Sequence, residues 1–82
     1  MAAADLSQEA LIVLKLLGEK AMDGYTILSK SGLSRVDLSA ALKELKANSM
    51  IDASGDLGED RIGEAYLWVL PSAKRYADYV AS

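Results

Sequence analysis

The chain has no cysteine, histidine or phenylalanine, and it carries one tryptophan, Trp68, and one proline, Pro71. Without cysteine there are no disulfides, no thiolate metal sites and no cysteine nucleophile. Without histidine the commonest metal ligand and general base are missing too. This inventory points away from an enzyme and implies no cofactor or metal, with only carboxylate chemistry left open. Long apolar runs are also lacking. The longest, Ala10 to Leu17, is broken by Lys15 and stops at Gly18, far short of the roughly 20 residues that span a bilayer. The opening residues Met1 to Asp5 have neither the basic start nor the apolar centre of a signal peptide. A soluble, cytoplasmic protein with no membrane partner is the expectation.

What is present fits a single domain over residues 1–82 with one small core, because 51% of the residues are hydrophobic and 26% charged. With so few aromatic residues, that core must be largely aliphatic. Nine basic residues against 12 acidic ones give a net charge of -3. Nucleic-acid binders are usually basic, so this balance weighs against one, although the field at the binding face matters more than the total.

The most informative stretch runs from Gly24 to Leu45. It reads as two short helices joined at Gly32, the pattern of a helix-turn-helix. Ahead of it, Ser7 is placed to cap a first helix from about Gln8 to Glu19, apolar on most sides through Leu11, Ile12, Val13, Leu14, Leu16 and Leu17. Such a helix sits centrally and is covered on two faces. Asp23 is placed to cap a second helix, Gly24 to Ser31, that buries Tyr25, Ile27 and Leu28. Gly32 suits a left-handed turn, and Ser34 opens the third helix with Asp37 three residues later, an aspartate variant of the capping box.

The third helix runs to about Asn48. At about 100° per residue, Leu38, Ala41, Leu42 and Leu45 form one inward stripe. Opposite them lie Val36, Ala40, Lys43 and Ala47, flanked by Arg35, Ser39 and Glu44. The period then changes. Met50 to Ala53 reads as a strand, Ser54 to Asp60 as a loop and Glu64 to Leu70 as a returning strand, with pairing reaching back to Ile62. Pro71 ends that ladder and starts a last helix, Ser72 to Ala81, with Tyr76, Ala77 and Val80 inward and Tyr79 either in the core or on a dimer surface. The expected class is therefore α+β: three helices, a two-stranded β-hairpin and a closing helix.

That order resembles a winged helix-turn-helix, and specifically the MarR/PadR-type DNA-binding domain of prokaryotic transcription regulators. Met22-Asp23-Gly24-Tyr25-Thr26-Ile27 resembles the PadR-type start of the second helix. Leu42-Lys43-Glu44-Leu45 followed by Asn48-Ser49-Met50-Ile51 resembles the exit from the third. Arg61 and Ala65 through Ser72 resemble the second wing strand and its proline end. The likeness spans about Ser7 to Val80. Asp23 stands where such domains often carry histidine, Ser49 where they usually carry glycine, and their long dimerisation helices are missing.

The resemblance implies transcription regulation, with the third helix in the major groove of double-stranded DNA. Ser34, Arg35, Ser39 and Lys43 would touch phosphates or base edges, and arginine is the best candidate for a bidentate contact to guanine. Arg61 in the wing would reach the adjacent groove or backbone, and Lys30 and Lys46 would add phosphate contacts. The plainer alternative is a solvated helix face. From Asp52 to Glu64 five acids face one base, a net charge of -4 that repels phosphates. A second function class therefore stands beside the first: a winged-helix module that binds a protein partner instead of DNA. Lys74 and Arg75 form a small basic pair at the start of the last helix, where the helix dipole favours acids and the fold gives them nothing. The excess apolar surface of the first helix points to a homodimer.

Overall fold

A computed structural model describes residues 6–81, with side chains placed as far as Ala77. The elements in chain order are α1 (Gln8–Glu19), β1 (Met22–Asp23), α2 (Gly24–Ser31), α3 (Arg35–Ala47), β2 (Ile51–Ser54), β3 (Tyr66–Val69) and α4 (Lys74–Ala81). Short 3₁₀ turns at Ile62–Glu64 and Pro71–Ala73 precede β3 and α4. The class is α+β, with four helices beside an antiparallel three-stranded sheet ordered β1-β3-β2. No helix among the described residues is long and apolar enough to cross a membrane.

The helix ends follow their caps. The Ser7 hydroxyl accepts from the Ala10 amide at 3.2 Å, and the Ser34 hydroxyl accepts from the Asp37 amide at 3.1 Å, each satisfying an otherwise orphaned donor. Gly32 ends α2 at φ 74°, as the turn between two close helices requires. Asp23 differs from expectation: it precedes α2 but makes no side-chain bond to the helix backbone. Its carboxylate instead accepts from the Thr26 hydroxyl.

The end of α3 shows why glycine would suit position 49. Ser49 takes φ 58°, its amide donates to the Lys46 carbonyl at 3.0 Å, and the Met50 amide donates to the Leu45 carbonyl at 3.0 Å. This is a Schellman closure, with Met50 and Leu45 both buried beneath it. A side chain in left-handed backbone costs about 1 kcal/mol or more. Ser49→Gly is therefore expected to raise Tm by roughly 4–8 °C, a shift typical of about 1 kcal/mol in a domain this small. A thermal melt showing no rise or a fall would contradict the assignment.

One core gathers Val13, Leu14 and Leu17 of α1, Ile27 of α2, Leu38, Leu42 and Leu45 of α3, and Ile51, Ile62 and Leu67 from the sheet side. α1 is the central helix, packed chiefly against α3 and α4. At its crossing with α4, a Cβ on Gly18 would lie 3.2 Å from the Ala77 Cβ, so the missing side chain allows close approach. Lys74 has a structural task after all. Its ammonium donates to the Gly18 carbonyl at 2.5 Å, capping the negative end of α1. Tyr76 is half-buried and Ala77 fully buried; the expectations for Tyr79 and Val80 concern side chains outside those described.

Three expectations are corrected. The sheet has three strands and not two, because Met22 and Asp23 pair with Leu67 and Tyr66. Pairing stops at Tyr66 and does not reach Ile62, which turns inward in its 3₁₀ turn and is fully buried. Tyr25 is not buried but 53% exposed. Its ring lies over Gly63, where a Cβ would stand 2.4 Å from it.

Candidate nucleic-acid interface

The turn at Gly32 and the cap at Ser34 set α3 across the surface with its outer side open. Val36, Ala40, Lys43 and Ala47 are all exposed, as the helical spacing requires. Arg35, Lys43 and Lys46 fall along one edge of this small-side-chain stripe. Asp37 and Glu44 fall along the other edge, and Glu44 is turned away to bind Ser7. Lys30 stands exposed in the last turn of α2.

The seven proposed contact residues meet different fates. Ser34 is exposed and already serves as a cap, with its hydroxyl hydrogen still available to donate. Arg35 is exposed, its guanidinium 5.9 Å from the Tyr25 ring centroid and donating to the Glu59 carbonyl at 3.3 Å. Lys30 and Lys43 are exposed and outside the ion pairs formed among the described residues. Lys46 pairs with Asp52 at 3.0 Å, and Arg61 with Glu64 at 3.1 Å. Both pairs are exposed, so they add little to stability and exchange readily for a stronger anion.

Ser39 is the correction. It is only 5% exposed, and its hydroxyl donates to the Leu57 carbonyl at 2.5 Å. It lies under the loop and cannot face a groove. The reason is the path of residues 55–65, which fold back along α2 and α3 instead of projecting. Besides the Ser39 bond, Arg35 holds the Glu59 carbonyl and the Gly24 amide donates to the Ala65 carbonyl at 2.8 Å. Tyr25, expected in the core, instead presents its ring to the Arg35 guanidinium at 5.9 Å. Its partner Gly63 lies 38 residues away in the chain, so no local pattern signals the pair.

The acidic end of this region is ordered by Asp52. Its carboxylate accepts from the Ala53 amide at 2.8 Å and from Lys46 at 3.0 Å. The amide first, then the lysine bond and charge, hold its pKa below the ordinary 3.8. The native state therefore favours the ionised form. The resulting stabilisation is complete above the ordinary value and disappears as pH falls through the lowered one. Asp52→Asn is expected to lessen the stability lost as pH falls below the ordinary carboxylate value of 3.8 in urea titrations. An unchanged acid limb would show that the contact does not matter.

Compared with known protein families, curated proteins and solved structures, the chain shows no match.

Proposed function

We propose that the chain is a winged helix-turn-helix domain of a transcription regulator that binds duplex DNA with α3 in the major groove. The order of elements supports the architecture, with residues 55–65 as the wing. One observation carries the function: Arg35, Lys43 and Lys46 line one edge of an exposed α3 stripe made of Val36, Ala40 and Ala47. Small side chains let a helix approach the groove floor and meet thymine methyls, while flanking cations take phosphates or guanine. Lys30 adds a cation beyond the turn. Leu11 and Leu16, half-buried, and Ile12, 36% exposed, leave α1 an apolar strip for a second copy, so the reading includes a homodimer.

Fluorescence anisotropy with a mixed-sequence duplex, paired with sedimentation velocity, tests both parts. About four phosphate contacts predict affinity falling with a log-log salt slope of roughly -3 to -4. Arg35→Ala is expected to weaken binding by about 1–3 kcal/mol. No salt-dependent binding at about 50 mM salt would remove the DNA reading, and a strictly monomeric boundary would remove the dimer.

A second reading, a winged-helix module that binds protein instead, is favoured by the acids of the wing. Asp56, Glu59 and Asp60 are exposed, in a loop fastened to α3 through Leu57 and Ser39. Phosphates approaching α3 would meet them, whereas a basic protein surface would be attracted.

A further inference from the structure

The outer face of the sheet carries a second feature, independent of α3. Leu67, at the centre of β3, is fully buried against the helices, so its neighbours Tyr66 and Trp68 point the other way. Tyr66 is 49% exposed, Trp68 is partly exposed, and their ring centroids lie 6.3 Å apart with planes tilted by 39°. Each ring is flanked by a carboxylate on an edge strand. Asp52 stands directly opposite Trp68, and Asp23 directly opposite Tyr66, so all four side chains share one face. An aromatic pair between two aspartates is a surface for a flat, delocalised cation.

We propose that this face docks an arginine-bearing segment of another protein. The guanidinium would lie over the rings, as cations do on tryptophan and tyrosine, and its fork would meet Asp52 or Asp23. Charge complementarity selects the partner. The face itself carries Asp23 and Asp52, in a chain with a net charge of -3, so a basic peptide is drawn in where a phosphate chain is repelled. The existing partners do not block the face. Lys46 holds Asp52 through a solvent-exposed pair that an incoming arginine can displace. The Asp23 carboxylate accepts from the Thr26 hydroxyl through one oxygen, and no ion pair among the described residues involves it.

Trp68 is the single tryptophan, so its fluorescence reports this face alone. The full chain is titrated with a capped octapeptide alternating arginine and glycine, with its glutamate counterpart, and with an oligothymidylate. The arginine peptide is expected to give a saturable change that weakens with salt, and the glutamate peptide none. Tyr66→Ala and Asp52→Asn should each weaken the arginine peptide by about threefold, Tyr66→Phe should preserve it, and circular dichroism verifies that each variant is folded. Arg35→Ala should leave the peptide titration unchanged, which separates this proposal from the DNA reading. A change that never saturates, equal affinity in folded Tyr66→Ala and Asp52→Asn, or preference for the oligothymidylate would overturn it.

Discussion

Gly24→Ala is expected to destabilise the domain more than any other single methyl added to it. A Cβ at this position would stand 1.8 Å from the Ile62 carbonyl oxygen, 2.7 Å from its carbon and 2.8 Å from the Gly63 Cα. All three are backbone atoms, so no side chain can rotate away. The Gly24 amide is meanwhile fixed to the Ala65 carbonyl at 2.8 Å, which holds the start of α2 against the turn before β3. Relief requires moving a whole element. Overpacking usually costs about 1–3 kcal/mol, and a clash confined to backbone belongs at or above the top of that range. A loss of about 3 kcal/mol would lower Tm by roughly 12–24 °C. Gly32→Ala is the control. Its φ is also unfavourable for a side chain, but nothing lies within 4 Å of the added methyl, so about 1–2 kcal/mol is expected. Equal losses in the two variants would show that close approach is not what Gly24 provides.

Glu44→Ala is the second large effect. The Glu44 carboxylate accepts from the Ser7 amide at 2.9 Å and from the Ser7 hydroxyl at 2.7 Å. The same hydroxyl oxygen accepts from Ala10 at the first turn of α1. One side chain of α3 thus fastens the start of the central helix and places a negative charge at its positive end. Hydrogen bonds to a charged group contribute about 1.5–3 kcal/mol, and truncation also strands the part-buried Ser7 amide. A loss of about 2–3 kcal/mol in urea unfolding is expected. The cycle of Glu44→Ala, Ser7→Ala and the double variant should show coupling of at least about 1 kcal/mol. Strict additivity would mean that the contact contributes nothing.

The parts that were legible in the sequence are those governed by neighbours three or four residues away. Ser7, Gly32, Ser34 and the stripe through Leu38, Leu42 and Leu45 place α1, α2 and α3 because caps and helical spacing are local. The strand β1 was not legible, since two residues carry no alternation and pair only once β3 arrives. The expectation that α2 buries Tyr25 along with Ile27 and Leu28 fails at Tyr25, which is exposed. Gly63, distant in the chain, gives its ring a flat seat on the surface instead.

The candidate site followed the same division. The open stripe of α3 could be read from spacing alone: Arg35 and Lys43 do stand exposed along it, and Lys30 stands exposed in the last turn of α2. Ser39 could not be read, because helical angle puts it on the flank whether or not a loop covers that flank. Only the return of residues 55–65 makes it a buried donor. The pairing of Lys46 with Asp52 and of Glu44 with Ser7 likewise depends on the folded chain.

The bond from Ser39 to the Leu57 carbonyl also bears on rates. With Arg35 and Gly24 it stitches the loop to α2 and α3 at separate points. The loop's freedom is then surrendered when the chain folds and not when a partner arrives. Any ligand that touches α3 and the loop together meets a preorganised surface, so its capture needs no slow closing step.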